Sequence, residues 1–471
     1  MKAITTHYID GTFVKSHGRE VMDIIKPTNG KAIASVTLGD EEDARRAIAA
    51  AKRAFITFGR TTKEERTKVL RRLHEVVSAR VDELTAAMVE EYGGAVQFAT
   101  LIVQAGANSF SAAEKALQEL PLTRTWDKTT VTLEPVGVAG LITPWNANSF
   151  FLSAKLASAI AAGCTVVMKP SELSPLQTHV WLECLHEAGL PKGLCNVVIG
   201  RGDVVGAELV RNPDVAKISF TGSSAVGKTI MRDGAATMKR VTLELGGKSP
   251  NILLDDAVLD KAIPASLGIA FLNSGQACVA GTRLLVPKGR LDEVKRAIMD
   301  AMLAFPVGDP SDPKIAIGPM VTQKQYERVQ SYIRKGIDEG AAVLVGGEGH
   351  PKGLEAGYFV KPTVFVNVTN DMTIAREEIF GPVLCVIAYD DDEDAIRIAN
   401  DTIFGLHAFV NGSDVGRARY MASRIVAGRV AINGMLDDQQ APFGGFKHSG
   451  IGREFGTYGI EAYLELRAIL E

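Results

Sequence analysis

The chain has 471 residues, 46% of them hydrophobic and 23% charged, with a formal net charge of -3. That length exceeds what one hydrophobic core usually serves, so two or more domains are expected from an ordinary soluble composition. The charge balance provides no basic footprint for nucleic acid or an anionic membrane, which leaves small neutral or anionic molecules as the expected partners.

Residues 1–12 carry no apolar run followed by a small-residue cleavage site, so no secretory signal is read and a cytoplasmic location is expected. The uncharged stretch from Pro135 to Ala154 is long enough to span a bilayer, but Gly137, Gly140, Pro144, Asn146 and Asn148 interrupt it. A buried strand and turn fits better. Cysteines at 164, 184, 195, 278 and 385 form no CxxC pair and are odd in number, which points to reduced thiols. His179 and His186 share one expected helix with Cys184, but no ligand spacing suits a metal, and none is expected.

In chain order, Asp40 with Asp43 caps an amphipathic helix ending near Phe55. Thr62 with Glu65 is a capping box opening a longer helix that keeps apolar spacing to about Tyr92. From Val136 the texture becomes β-branched runs alternating with helices: VGVAGLI, a helix to Ala162, TVVM, a helix through His186, NVVI, a helix near Val204, then KISF. This alternation predicts a parallel sheet with crossover helices, whose strands are apolar throughout because both faces are covered. A second set follows Gly246: TRLLVP, a helix over Leu291 to Leu303, AVLVGG, YFVKPTVFVNV, PVLCVIAY and GRVAI. That is a second α/β domain. The acidic run Asp390 to Asp394 reads as solvated capping at a helix start.

Chemistry collects at the ends of these strands. Cys278, in NSGQACVAGTR, has small neighbours that leave its sulfur accessible, either as a nucleophile or as a packing thiol. Glu244 ends the strand VTLELGGKSP, where ligands of open α/β sheets bind; a salt bridge and a catalytic carboxylate are equally open there. Asn146, in LITPWNAN, is either an oxyanion donor or the N-cap of the next helix. Gly200, Gly202 and Gly206 are too loosely spaced for a phosphate loop. FTGSSAVG is better placed, because its strand turns through Gly222 into a helix starting near Ser223 or Ser224, whose N–H groups suit a pyrophosphate or merely need a cap. Lys169 and Glu172, in VVMKPSE, could contact a ribose or form a surface ion pair.

PWN, KPSE, FTGSSAVG, ELGGKSP, GQAC, EEIFGPV and PFGGFKHSGIGRE, in this order and spacing over nearly the whole chain, resemble the aldehyde dehydrogenase superfamily. The resemblance implies oxidation of an aldehyde to a carboxylic acid: Cys278 attacks, the Asn146 amide and the Cys278 N–H hold the oxyanion, and hydride passes to nicotinamide. Glu244 then activates water against the thioester, with Lys155 and Glu454 as a secondary proton relay. For the cofactor it implies Thr143, Trp145, Lys169, Glu172 and Gly206 on the adenosine side, and Gly222, Ser223 and Val226 at the pyrophosphate. Glu378, Phe380 and Leu245 line the nicotinamide end. A Glu172 carboxylate would repel a 2′-phosphate, which favours NAD over NADP.

The same resemblance implies a Rossmann-like parallel-sheet cofactor domain (1–116 and 136–245), a second α/β catalytic domain (246–435) and a small β oligomerisation segment (117–135 and 459–471). The last explains the alternating TTVTLE, and a homodimer or homotetramer is expected. Phe151, Ala154, Val279 and Phe443 would line the substrate tunnel. Ala147, Asn148, Ser149 and Ala154 stand where the family often carries larger residues, which predicts a wide tunnel. Asp437 and Asp438 near its mouth would disfavour anions, so bulky, neutral, aromatic or heteroaromatic aldehydes are expected. A CoA-acylating relative usually lacks the base, and Glu244 argues against that reading. A non-catalytic binding or structural protein on the same fold would not need Cys278, Glu244 and Asn146 together.

Overall fold

In the computed structural model, which describes residues 2–435 and 438–471, the alternating runs from Val136 onward build two sheets with parallel centres. The first has eight strands in the order Gly450–Ile451, Arg240–Glu244, Val215–Thr221, Val138–Ile142, Thr165–Lys169, Cys195–Val197, Thr6–Ile9, Thr12–Lys15. The five from Arg240–Glu244 to Cys195–Val197 run parallel, and the flanking strands pair antiparallel. Along these strands Ala139, Leu141, Val166 and Met168 enter one hydrophobic cluster, while Val138, Ile142 and Val167 enter another. Both faces are therefore covered, which is why these strands read as continuous apolar runs.

One strand departs from that reading. In Val215–Thr221, Ile218 and Phe220 pack with one cluster, but Lys217, Ser219 and Thr221, on the opposite face, are buried polar residues. The KISF run thus alternates, and the strand carries a polar stripe through the interior.

The second sheet has seven strands in the order Ala342–Val345, Thr363–Val366, Val383–Tyr389, Arg283–Pro287, Pro250–Leu253, His407–Asn411, Arg429–Ile432. All pairs but the first are parallel. The Tyr358 to Val368 run yields only Thr363–Val366. Pro362 immediately before it lacks the N–H that a central strand must donate.

Two smaller sheets complete the chain: Lys2–Ile4 with Lys31–Thr37 and Val21–Lys26, and Leu464–Leu470 with Thr129–Pro135 and Thr123–Trp126. The latter is antiparallel, registering Leu464 on Pro135 and Leu470 on Thr129. Leu117 lies outside it, inside the helix Val96–Glu119, so the hairpin begins at Thr123.

Helix boundaries follow the caps. Asp40 and Asp43 form a capping box for Glu41–Phe58, three residues longer than the apolar spacing predicts. Thr62 and Glu65 cap Lys63–Ser78, but the expected single helix to Tyr92 breaks at Ala79 and Arg80, and Val81–Glu91 starts anew. Both helices pack against Val96–Glu119 and Pro175–Ala188, and Leu84 and Met88 join the same hydrophobic cluster as Leu70 and Leu73. Glu91 then caps Pro175–Ala188, accepting from Leu176 N (2.7 Å) and Gln177 N (2.8 Å). No helix among the described residues is long and apolar enough to cross a membrane.

Asp43 has a second role. Its carboxylate accepts from the amides of His17 and Gly18 and from Ser16 Oγ, beside the buried His7 ring, and so ties the loop after the strand Thr12–Lys15 to the helix. Burial pushes its proton affinity up, but the hydrogen bonds from His7, His17 and Gly18 outweigh it and leave the group well below the usual carboxylate range. A depressed folded-state pKa contributes stability that is present above the unfolded value near 4 and is lost as pH falls. Asp43→Ala is expected to lower unfolding stability by about 3 kcal/mol in urea titration. The deficit should shrink below pH 4, where the wild-type protein loses the same contribution.

Candidate active site

Glu244, Asn146 and Cys278 reach one cleft from three directions. Glu244 is the last residue of its strand, in register with Thr221, and Gly222 N donates to Glu244 O at 3.1 Å. Asn146 follows the Val138–Ile142 strand by four residues and is 7% exposed. It is not a helix cap: the N-cap position of Asn148–Ala162 is Ala147, which makes no side-chain cap. Instead Asn146 Nδ2 donates to Gln276 O at 2.9 Å. One N–H anchors the amide to the cysteine loop, and the other remains available to a ligand.

The cysteine loop comes from the second sheet, between Leu259–Ala270 and the strand Arg283–Pro287. Asn273 and Ser274 take left-handed backbone there, with φ of 52° and 58°. Such strain persists only where contacts over-determine it. Asn273 Nδ2 donates to Asn146 O at 2.8 Å, Gly318 N to Ser274 Oγ at 2.9 Å, and Gln276 Nε2 to the Tyr92 hydroxyl at 3.1 Å. Gly247 passes so close that a Cβ on it would stand 2.5 Å from the Cys278 carbonyl oxygen. Cys278 is partly exposed, whereas the other four cysteines are buried.

The three residues share a cavity of about 270 Å³ with Trp145, Phe151, Gly222, Ser223, Leu245, Glu378 and Phe380, all expected from the sequence. Pro144, Thr221, Gly246, Gln325 and Arg328 line it as well and were not expected. Gln325 and Arg328 lie in the helix Gln323–Asp338, distant in sequence from every recognisable motif. Gln325 Nε2 donates to Phe380 O and Arg328 Nη2 to Glu378 O, both at 2.7 Å, fixing the loop that carries those residues. Phe380 is itself left-handed (φ 61°) and meets Trp145 edge to face, ring centroids 5.4 Å apart.

Several expected residues stand apart from this cavity. Lys169 Nζ pairs with Glu172 Oε2 at 2.8 Å, and a Cβ placed on Gly206, in the wide turn Gly202–Gly206, would stand 4.0 Å from Lys169 Cδ. Glu172 borders a separate cavity of about 240 Å³ that also includes Glu91 and Tyr358. Thr143 N donates to Lys169 O, leaving Thr143 Oγ1 buried without a partner. Ser223 Oγ caps Ser224–Gly234 by accepting from Val226 N at 3.4 Å, while Val226 itself is exposed. Gly227 brings that helix against Leu245: a Cβ there would stand 2.7 Å from Leu245 Cδ2.

Lys155 and Glu454 form a direct buried ion pair, and Ser219 Oγ bonds to both. On the substrate side Ala154 is buried and Val279 and Phe443 are partly exposed. Asn148 and Ser149 do not widen a tunnel. Both are buried, and Asn148 Nδ2 bonds to Thr178 Oγ1 in the packing against Pro175–Ala188. Phe150 and Phe151 occupy the face in question, in a ring series with Phe455 and Phe443 whose centroids are 5.3, 6.0 and 5.6 Å apart. The Arg429 guanidinium, not expected there, lies 5.1 Å from the Phe443 ring centre. Asp438 is exposed, and Asp437 lies outside the described residues.

Electrostatically the site is acidic, with Glu244 and Glu378 both lining it. Both Glu244 oxygens are buried without a hydrogen-bond partner among the described residues. Burial, reinforced by the Glu454 charge, holds its carboxyl well above the usual range. Burial likewise pushes Glu378 up to about 7, against a hydrogen bond from Gly247 N at 3.0 Å. Burial, then the Glu378 and Glu244 charges, pushes the Cys278 thiol up to about 12. Among the described residues no group of three or more His, Cys, Asp or Glu is arranged to hold a metal ion.

Comparison with known proteins fits this geometry. The family model described as "Aldehyde dehydrogenase family" matches residues 13–469. A 3-succinoylsemialdehyde-pyridine dehydrogenase from a Pseudomonas species is 43% identical, over 100% of this chain and 99% of its own. Aldehyde dehydrogenase C from Pseudomonas syringae, a variant crystallised with NAD+ and octanal, superposes with a TM-score of 0.97 at 44% identity, covering 99% of this chain and 96% of its own. A Mycobacterium tuberculosis aldehyde dehydrogenase complexed with NAD+ gives 0.96 at 40%, covering 100% and 98%.

A thiol held so high is reactive only in its minor thiolate fraction. The rate of iodoacetamide alkylation at Cys278, read by mass spectrometry, is expected to rise about tenfold per pH unit up to pH 9 without levelling. A plateau by pH 8 would contradict the electrostatics described.

Proposed function

The chain belongs to the aldehyde dehydrogenase family, and on that premise we propose that it oxidises bulky, neutral, aromatic or heteroaromatic aldehydes to carboxylic acids with NAD. The observation that carries this reading is the convergence of Cys278, Glu244 and Asn146 on one cavity whose far wall is Ser223, Leu245, Glu378 and Phe380.

In this reading Cys278 Sγ attacks the aldehyde carbon, and the carbonyl oxygen becomes an oxyanion met by the spare N–H of Asn146 and the Cys278 N–H. Bound NAD would accept the hydride that leaves the resulting thiohemiacetal, turning it into a thioester. Glu244 then takes a proton from water as that water attacks the thioester carbon; the C–S bond breaks, the acid leaves and the Cys278 thiolate is restored. A carboxylate held above the ordinary range is a stronger base than a solvated one, and neither oxygen has a hydrogen-bond partner among the described residues to compete with the water.

The residues also fit a dinucleotide. The helix behind Ser223 presents N–H groups towards the cleft, where a pyrophosphate would sit. Glu378 would take the nicotinamide ribose, positioned by Arg328 and Gln325 through the backbone of its loop. Lys169 and Glu172 would receive the adenosine ribose with Thr143, Trp145 and Gly206 nearby, and the Glu172 carboxylate favours NAD over NADP. The first sheet then serves as the cofactor domain and the second as the catalytic one. The three-stranded sheet, with Trp126, Leu466 and Leu470 exposed, serves to join copies of the chain.

Substrate breadth follows from the ring series Phe151, Phe150, Phe455 and Phe443, an apolar wall extending away from Cys278. The relative named for a pyridine-bearing semialdehyde favours a heteroaromatic group on that wall, and octanal in the Pseudomonas syringae structure shares its apolar character.

Cys278→Ala should lower aldehyde-dependent NADH formation by roughly 1000-fold or more. Glu244→Gln should retain a stoichiometric first burst of NADH while steady turnover falls by roughly 100-fold. In a panel of aldehydes, kcat/KM for benzaldehyde or a pyridine carbaldehyde should exceed that for succinic semialdehyde, and NAD should exceed NADP. Equal or better use of succinic semialdehyde overturns the substrate reading.

A further inference from the structure

A parallel strand covered on both faces ordinarily carries apolar residues on both, yet Val215–Thr221 presents Lys217, Ser219 and Thr221 to one side, all buried. Its neighbour Arg240–Glu244 aligns with them, Thr242 beside Ser219 and Glu244 beside Thr221. The polar stripe therefore begins beneath the sheet and ends at the proposed base.

Ser219 is the junction of that stripe. Its hydroxyl is completely buried, accepts from Lys155 Nζ at 2.9 Å and donates to Glu454 Oε1 at 3.1 Å. Lys155 and Glu454 also touch directly, so three buried groups from a helix, a strand and the loop after Phe443 close a small ring of hydrogen bonds. The Tyr463 side chain lies against Ser219 from below. Lys217 Nζ sits 4.7 Å over the Tyr463 ring and donates to Thr242 Oγ1 at 2.7 Å. The charged groups facing Glu244 are Glu454, Lys155, Arg453 and Arg429, and those facing Glu454 include Lys155 and Lys217.

We propose that Ser219 is a positioning residue for the hydrolytic half of the reaction: its hydroxyl holds the Glu454 carboxylate, paired to Lys155, in place to receive the proton that Glu244 takes from water. A hydroxyl suits this role better than a second amide or cation, because it accepts from the lysine and donates to the carboxylate at once. The proton balance is closed. Water gives its proton to Glu244 as its oxygen bonds to the thioester carbon; the Glu244 O–H bond then breaks as an intervening water takes that proton and passes one to Glu454, which returns it to solvent before the next turnover while Cys278 leaves as the thiolate. The proposal rests on the reading of Glu244 as base.

Its test compares Ser219→Ala and Ser219→Thr with the unmodified full-length enzyme, using benzaldehyde and NAD, by burst kinetics and by the pH dependence of kcat. Ser219→Ala should keep the amplitude and rate of the first NADH burst and the KM for NAD. Its steady kcat should fall about three- to tenfold, and the acid limb of kcat should move to higher pH, because Glu454 without its hydroxyl donor is a less well stabilised anion. Ser219→Thr, which keeps the hydroxyl, should restore both. An unchanged kcat and pH profile in Ser219→Ala overturns the proposal, as does a burst that falls in step with kcat. If the unmodified enzyme forms no NADH with any aldehyde, it is the broader reading of function that fails.

Discussion

A carboxyl group buried with neither oxygen hydrogen-bonded is costly, by roughly 1 to 3 kcal/mol or more, and Glu244 is such a group. Much of the surrounding structure exists to keep it there. Its backbone is locked by the strand pairing with Val215–Thr221, by Gly222 N on its carbonyl, and by Leu245 N on Ser449 O at 2.9 Å. The side chain emerges at the carboxyl end of a sheet whose strands Val138–Ile142 and Thr165–Lys169 supply an apolar foundation on both faces. Burial, reinforced by the Glu454 charge, raises its proton affinity above that of an ordinary carboxylate.

The second sheet meets this carboxyl through backbone strain. Asn273, Ser274, Phe380 and Phe455 all have positive φ, and all lie on loops that border the site or the ring series beside it. Each such residue costs on the order of 1 to 3 kcal/mol, and persists because other contacts over-determine it. Gln276, with hydrogen bonds to Tyr92, Pro319 and Val321, is one anchor. Arg283, fully buried and bound to Lys248 O, Asn370, Ile398 O and Ala399 O, is another. Because Gly247 nearly touches the Cys278 carbonyl, the thiol and the base cannot shift independently. The site is a seam between two rigid sheets.

What the seam recognises depends on which side chains the helix Asn148–Ala162 turns toward it. The residues after Asn146 look small and polar along the chain, which suggested a wide tunnel. Asn148 instead bonds to Thr178 in the packing with Pro175–Ala188, Ser149 is buried, and Phe151, in ring contact with Phe150, lines the cavity. A shift of one position along a helix rotates a side chain by about 100°, so the wall is aromatic rather than empty.

The order of short apolar runs and caps was enough to predict two α/β sheets and the helix starts at Asp40 and Thr62, because strand patterns and capping residues are local signals, but it left Cys278, Glu244 and Asn146 each open to a structural role. Family resemblance in seven motifs then named the chemistry. Tertiary structure alone decided the rest. It broke the expected helix at Ala79 and Arg80, and it turned the Asn146 amide to Gln276, 130 positions away, instead of to the helix start. It brought Gln325 and Arg328 to the cleft on a helix without any motif. It also exposed the meaning of KISF, which looked like one more buried strand. Whether Lys217 and Ser219 face a hydrophobic layer or Lys155 and Glu454 is set by contacts across hundreds of residues, and no local pattern encodes them.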